Sequence, residues 1–595
     1  MVKFIGDLLL SFNCEGYSKV KRSPSLPWIR LTNANTDELV IQESGKNWKG
    51  YPFSSIHTPS WDIYLLGELF DISGQNDSWE KLATGIVDGS REAKDLNGHC
   101  LLLAWDKSKR CWHFWTNRFG SLHMYYSLHG KRRAIGTFFP AVANQASNRQ
   151  FDWTGLAGFF SFGFFPQDRT YFEDVRVMRP GSEYVIDENG SLVDQKRYWT
   201  WTYLPDTRRS YDDTVAQFHD TIQVVIADQT RDGRIALPIS GGLDSRTIAS
   251  VIGNLPAKYN HNPVWAYSYG YSPSSVETHI ARRVAESQDL AYESFTIPPY
   301  LFDRLDMVTA SLEGFNDITM CRQAAIADEI NDHADFILGG HLGDLILDDT
   351  GISEKYLGGL SDRDFINVAR QKIEKNGGNW FARHLLESHM EGRKVDDLLQ
   401  EIVQDELKPL MEIEDRDFRL KAFKIEQYCF RFTATGFRMY QPASFPRLPF
   451  YDTRLVDLIC TIPTDFVRKR RLEVDYLKYY APELARITWQ AFDANLYWYK
   501  YYKTLLLPKR VIKKLGRAAA GKPVIQRNWE VQFLSPGGRE NLEAHLLHGG
   551  LKIHQYAQPA QIGALIKAFY AAPAPGDAYT LSMLLTFAAW LERYG

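Results

Sequence analysis

The apolar run Ile235-Ala236-Leu237-Pro238-Ile239 ends in Ser240-Gly241-Gly242-Leu243-Asp244-Ser245, and beyond it apolar residues recur at Ile248, Val251, Ile252 and Leu255. Recurrence near every 3.6 residues marks one face of a helix, so the order is strand, glycine turn, helix. Two adjacent glycines let the backbone come close to a ligand, and the unpaired amides of the helix start, with a hydroxyl at each end of the turn, would face an anion. The pattern reads as a phosphate or pyrophosphate cradle in which Gly241, Gly242, Leu243 and the two serines make the contacts and Asp244 is suited to Mg²⁺. No Gly-x-x-x-x-Gly-Lys-Ser/Thr run occurs, so a Walker-type site is not the competing reading. A connection whose glycines serve packing alone is the plainer alternative.

Further along, Val264 to Gly270 reads as a second strand, and 277–287 as a helix with Val276, Ile280 and Val284 on one face. Asp335-Phe336-Ile337-Leu338 is a third strand, running into Gly339-Gly340-His341-Leu342-Gly343-Asp344. Strands alternating with helices give a parallel sheet, and ligands of such sheets sit outside the carboxyl ends of the strands. Asp244 and Asp344 are therefore expected on one site as metal ligands. Gly340 reads either as a phosphate contact or as a helix-start glycine, and Asp344 has the alternative of an N-cap. His341 is a candidate phosphate donor or proton carrier, with a solvated turn histidine as the alternative. Ile239 and Tyr269, at their strand ends, are placed beside a nucleoside.

A chain of 595 residues exceeds what one hydrophobic core serves, so two or more domains are expected. With a net charge of −3 there is no global basic footprint for nucleic acid. The apolar start is broken by Asp7 and does not read as a signal peptide. Leu581 to Leu591 is too short to span a bilayer, which takes about 20 residues, and is expected as a buried helix. Six dispersed cysteines with no zinc spacing point to a reducing compartment, hence the cytoplasm. Strands and turns dominate up to about Tyr203, with a hairpin of Cys100 to Asp106 against Cys111 to Trp115. Longer helices follow, beginning with an amphipathic one over Tyr211 to Asp228. The cation run Arg468 to Arg471 is either a solvated face or a polyphosphate grip, and the basic, aromatic stretch 500–527 an exposed helix face or a docking surface for an acidic partner.

The Ser-Gly-Gly-x-Asp-Ser turn resembles the loop of the ATP pyrophosphatases, which split ATP between the α and β phosphates. Leu96-Asn97-Gly98, the Asp-bearing turn, Arg118-Phe119-Gly120, Tyr125-Tyr126, Arg179-Pro180-Gly181 and Tyr198-Trp199 are together similar to the N-terminal glutamine amidotransferase domain of asparagine synthetases. Gly340 and Asp344, then Arg447 to Asp452, match the synthetase half of that family. The resemblance implies an Ntn-type αββα glutamine amidotransferase-like domain over 1–203, followed by an α/β ATP-pyrophosphatase domain with helical additions over 204–595. It implies ATP and Mg²⁺, adenylation of a small-molecule or peptide carboxylate, and ammonia or a substrate amine as the nitrogen donor; a homodimer is an assembly it allows.

Three departures qualify what carries over. The family's glutaminase nucleophile is a cysteine left first when Met is removed, whereas Val2 stands here and Cys14 is internal. The N-terminal domain is therefore expected to keep the fold and lack glutaminase activity, with Asn97-Gly98 the remnant of an oxyanion hole. The family's Glu reads His341, and no lysine stands in Arg486 to Phe492, so Lys478 or Lys500 would have to fold back into the site. Alternatives to a carboxylate–amine ligase are an intramolecular cyclase of the lasso-peptide or β-lactam type and a non-catalytic ATP-binding scaffold. A nucleic-acid-modifying pyrophosphatase lacks its basic face.

Overall fold

In the computed structural model the described residues are 3–12, 21–22, 27–31, 37–45, 48–70, 78–255, 262–390, 392–501, 504 and 527–595. Val2, Cys14 and nearly all of the basic stretch 500–527 lie outside them. No described helix is long and apolar enough to cross a membrane.

The first part of the chain builds twelve described strands: β1 (Phe4–Phe12), β2 (Trp28–Arg30), β3 (Asp37–Glu43), β4 (Tyr51–His57), β5 (Trp61–Gly67), β6 (Cys100–Asp106), β7 (Cys111–Thr116), β8 (Tyr125–Ser127), β9 (Arg133–Gly136), β10 (Arg176–Val177), β11 (Ser182–Asp187) and β12 (Leu192–Arg197). Their order is β10-β8-β9-β1-β4-β5-β6-β7-β11-β12, with β3 also paired to β1 and β2 to β3. Period-2 alternation sorts their side chains into layers. Leu8, Leu10 and Phe12 of β1 meet Leu101 and Leu103 of β6 in a core between two halves of the sheet. Leu102 and Ala104 point the other way, onto Leu82, Ala83 and Ile86 of helix α1 (Trp79–Asp88). Leu9, Val40 and Ala134 face helices α2 (Phe139–Ala143) and α3 (Trp153–Phe162). Helix, sheet, sheet and helix follow one another, the αββα order that the family resemblance implies. The hairpin also forms as read, with Asp106 opposite Cys111.

Helix α4 (Tyr211–Thr230) opens the second part, its first turn capped by Ser210, which accepts from the Asp213 amide at 3.1 Å. Five parallel strands follow: β13 (Ile235–Pro238), β14 (Val264–Gly270), β15 (Ala291–Thr296), β16 (Phe336–Leu338) and β17 (Phe445–Arg447). The order β15-β14-β13-β16-β17 grows to one side of β13 and then to the other. The strand order thus reverses between β13 and β16, and that crevice is where open α/β sheets bind ligands. Helices α5 (Asp244–Asn254) and α6 (Val276–Glu286) return the chain between the first three strands. Apolar runs ending in glycine turns announce β13, β14 and β16; β15, short and polar, and β17, built around Pro446, carry no such pattern.

The remaining helices wrap the sheet and tie it to the first part. Pro575–Tyr594 is the buried C-terminal helix anticipated from Leu581 to Leu591, and its Trp590 stacks on Tyr171 at 3.7 Å. Arg447 is fully buried across the seam: its guanidinium donates to both Glu68 oxygens at 2.8 and 2.7 Å, to Asp232 Oδ1 at 2.6 Å, and to the carbonyls of Gln229 and Asp232. The Arg447 to Asp452 segment, matched above to the synthetase half of the family, therefore also ties the two parts of the chain together. Asn97 belongs to the same seam. Its Nδ2 donates to Asp452 Oδ2 at 3.1 Å and its Oδ1 accepts from the Thr453 amide at 2.9 Å, so this side chain is committed to packing and not to an oxyanion.

Candidate active site

The crevice between β13 and β16 brings the two glycine turns into contact. A Cβ added at Gly340 would sit 3.2 Å from Cβ of Asp244 and 3.4 Å from the Ser245 amide, and one at Gly343 would lie 2.7 Å from the Asp244 carboxylate. The second turn packs directly on Asp244, and only glycine leaves the carboxylate its room. Asp344 lies in the first turn of the short helix Gly343–Ile346, exposed to solvent, with no hydrogen bond or ion pair among the described residues.

Within the first turn the serines hold the backbone. The Ser240 amide donates to Ser245 Oγ at 3.0 Å, the Gly242 amide donates to Ser240 Oγ at 3.1 Å, and the two hydroxyls lie 3.2 Å apart. Helix α5, unlike α4, has no side chain capping its first amides. Ile239 closes the strand, its amide bonded to the Tyr267 carbonyl at 2.8 Å, and Tyr269 stands at the end of the neighbouring strand. The Tyr269 hydroxyl accepts from Gln323 Nε2 at 3.3 Å, and Arg322 lies 5.1 Å over its ring. Leu243 is buried beneath the turn.

Side chains that the motif did not announce occupy the turn. Arg470 donates to Asp244 and to Glu473. It reaches them because Lys469 and Arg470 take left-handed backbone conformations, φ 56° and 60°, which break the cation run so that its members point apart. Arg468 pairs with Asp465 and Asp349, and Arg471 covers Tyr211 at 3.9 Å, so the run is neither a single solvated face nor a single grip. Glu473 is fully buried and also accepts from Thr247 Oγ1 at 2.9 Å. Burial pushes the Asp244 carboxyl up; Arg470 opposes that, and the neighbouring carboxylates Glu473 and Asp344 add to it.

On the other side, Glu277 of α6 faces Gly241, and burial raises its carboxyl above the ordinary range, with Arg322 and the Gly241 amide opposing that. The Gly241 carbonyl accepts from the Gln490 amide at 3.2 Å, and the Gln490 side chain fills the space over Gly241 that a Cβ would need. Arg246 holds this segment in place. Buried and lowered to about 10 by desolvation, it donates to the carbonyls of Leu484, Ile487 and Thr488 at 3.2, 3.0 and 2.8 Å. A carboxylate on a loop amide and a guanidinium on the loop carboxylate show what the turn attracts: negative charge at its amides and positive charge at Asp244.

His341 points inward rather than into solvent. Its ring meets Phe437 edge-on at 4.9 Å and its Nδ1 is buried without a hydrogen-bond partner among the described residues. Burial lowers its pKa to about 4 against the pull of Asp344, so the imidazole is neutral near pH 7. Packed on Phe437, this is not a solvated turn histidine, and in its neutral form the ring can donate one proton to a phosphate or accept one. Neither candidate lysine enters the site. Lys478 donates to Asp475 at 3.1 Å, and Lys500 is exposed.

A glutamine amidotransferase domain model matches residues 75–199, and an asparagine synthase model matches residues 218–424. Among curated proteins the chain is similar to asparagine synthetase [glutamine-hydrolyzing] 3 of Bacillus subtilis (strain 168), 27% identical over 199 residues, 32% of this chain and 31% of the relative. Asparagine synthetase [glutamine-hydrolyzing] 1 of the same organism is 24% identical over 232 residues, 39% of this chain and 36% of the relative. Amidase chry2 of Gibberella zeae is 22% identical over 208 residues, 32% of this chain and 28% of the relative. The chain thus spans about a third of the length of the curated relatives it matches.

Proposed function

The chain belongs to the asparagine synthetase family, and from that premise we propose that it is an ATP-dependent amide-forming ligase that adenylates a carboxylate and releases AMP and pyrophosphate. The observation that carries this reading is the pairing of the two turns in the β13/β16 crevice, with uncapped amides of α5 on one side and the carboxylates of Asp244 and Asp344 on the other. Ser240, Gly241, Gly242, Leu243 and Ser245 hold the leaving phosphates, Gly340 gives the second turn its close approach, and Ile239 and Tyr269 flank the nucleoside.

The donor set fits Mg²⁺. Hard cations take carboxylate oxygens, Asp244 already holds a cation in the form of Arg470, and Asp344 brings a second carboxylate with no protein partner among the described residues. Bound there with Asp244 and Asp344 as ligands, the ion would neutralise the pyrophosphate leaving group. Arg470 then turns to the phosphates or to Glu473 alone. His341, neutral and with a free Nδ1, acts as the proton acceptor for the attacking nitrogen. The nitrogen comes from ammonia or a substrate amine, and the N-terminal domain, divided from the synthetase part at 203/204, is without glutaminase activity, a reading that the bonding of Asn97 to Asp452 and Thr453 supports. The substrate carboxylate is a small molecule or a peptide. The free buried thiols Cys100, Cys111, Cys321 and Cys429 fit a reducing compartment such as the cytoplasm.

Incubation with ATP, Mg²⁺ and pooled amino acids or peptides tests the reading: substrate-dependent AMP and pyrophosphate are expected, and ADP with phosphate counts against it. A second reading is a non-catalytic ATP-binding scaffold, favoured by Glu277 and Gln490 on Gly241. It predicts ATP binding without AMP under every substrate tried. The cyclase variant predicts AMP only with a substrate carrying its own amine.

A further inference from the structure

Far from the glycine turns, the end of the β6–β7 hairpin gathers three side chains of unlike chemistry. Cys111 and His113 are two apart on β7 and so share a face, and Asp106 of β6 stands directly opposite Cys111. One ligand atom from each of Asp106, Cys111 and His113 lies within 4.8 Å of the others. Cys111 Sγ and His113 Nε2 are 3.5 Å apart. Two donors bound to one tetrahedral zinc at ordinary Zn–S and Zn–N lengths are separated by about 3.5 Å, so this edge of a coordination sphere is already set.

A second observation bears on which atom His113 offers. Its Nδ1 lies 2.9 Å from Glu183 Oε1 of β11, and Glu183 is held in turn by Lys196 at 2.7 Å. With Nδ1–H donating to that carboxylate, the lone pair is on Nε2, the nitrogen that faces Cys111. A carboxylate fixing the far nitrogen of an imidazole is the arrangement that orients histidine ligands in metal proteins. Trp61 closes one side, edge-on to the His113 ring at 5.5 Å. Asp106 divides its work: Oδ1 takes the turn amides of Ser108 and Lys109 at 2.9 and 3.0 Å, while Oδ2, among the described residues, pairs only with the Lys109 ammonium at 3.8 Å. Ion pairing at that distance on an exposed lysine is weak and yields to a divalent ion.

We propose that Asp106, Cys111 and His113 form a divalent-metal site of the zinc class with a fourth, open position, in which Glu183 positions His113. The donors are one thiolate, one imidazole and one carboxylate, a mixed set that suits Zn²⁺ over Mg²⁺ or Ca²⁺. Binding releases the Cys111 thiol proton to solvent and exchanges the Lys109 ammonium for the metal on Asp106. It closes the hairpin against β11. The site depends on nothing in the synthetase half.

The test uses the full chain, stripped with a chelator and titrated with Co²⁺ without oxygen. One equivalent giving a thiolate-to-cobalt charge-transfer band is expected, displaced by Zn²⁺. Cys111→Ser abolishes the band and Cys460→Ser, at the least buried described thiol, keeps it. Glu183→Gln, with an unchanged circular dichroism spectrum, weakens zinc binding by about 10- to 100-fold. No band in the native chain, or a band that persists in Cys111→Ser, overturns the proposal and leaves a thiol–imidazole hydrogen bond in a tight turn. Should Cys111→Ser not fold, His113→Gln serves in its place, with loss of the band expected.

Discussion

Two clusters of buried charge in this chain have opposite character. At the seam Arg447 has two carboxylates and two carbonyls around one guanidinium, and elsewhere along it Arg22 joins Asp7 and Glu313 while Arg438 joins Glu313 as well. In the β13/β16 crevice one guanidinium, Arg470, serves Asp244 and Glu473 with Asp344 close by, and burial leaves Asp244 raised. The seam sets three guanidinium groups against four carboxylates, nearly a match, whereas the crevice sets one against three. A buried group whose charge is matched within the protein holds structure together, whereas unmatched like charges beside uncapped amides are kept for something that arrives from outside.

The sharpest break between the two clusters is Asp244→Asn. In the crevice it removes a carboxylate that crowds its neighbours, so folding stability is unchanged or rises, while substrate-dependent AMP formation falls about 10²- to 10³-fold. Equal loss of stability and activity would make Asp244 a seam-like residue. Arg447→Met should do the reverse. It leaves Glu68 and Asp232 facing each other unpaired and lowers stability by about 3 kcal/mol, read as a lower urea midpoint. Turnover per folded molecule stays the same.

How much of this was legible before the structure follows the same division. The crevice announced itself, because glycine, serine and aspartate at fixed spacing after a strand have few structural reasons to occur together. Asp244, Gly340 and Asp344 come together where the strand order says they should. Arg470, Glu277 and Gln490 were illegible: they reach the turn from distant segments, and Arg470 does so only because two adjacent residues adopt a left-handed backbone that no local signal marks. Asn97 misled for a related reason. An Asn-Gly pair after a turn looks the same whether its amide faces a ligand or, as here, Asp452 across the seam. The fourfold layering came only with the family resemblance, since β1 and β6 are buried almost throughout and show no alternation, and β17 was not legible at all because its strand character comes from pairing with β16 and not from its own residues.

A titration separates the clusters further. His99 sits in the seam, its Nδ1 2.7 Å from Ser121 Oγ and its ring stacked on Phe445 at 4.8 Å, and burial lowers its pKa to about 3. In the unfolded chain a histidine titrates near 6.5, so below that pH the unfolded state takes up a proton that the folded state refuses. Stability conferred by neutral His99 is complete above about pH 6.5 and is lost as the pH falls toward 3, at up to about 1.4 kcal/mol per pH unit. Urea midpoints across that range should slope downward on acidification, and His99→Gln should flatten the slope. An identical slope in the variant would place the acid sensitivity elsewhere.

The smallest effect concerns the crevice's own cover. Gln490 lies over Gly241 because Arg246 pins the segment before it, and the Gln490 amide is bonded to the Gly241 carbonyl. If ATP phosphates settle on the Gly241 turn, that side chain must give way first, and a protein that spends part of its time covered binds its ligand more weakly by the covered fraction. Gln490→Ala keeps the backbone bond and removes the cover. KM for ATP should fall by about threefold, the scale of one modest hydrogen bond, with kcat unchanged. A raised KM would mean instead that Gln490 touches the nucleotide, turning a residue that closes the crevice into one that helps to fill it.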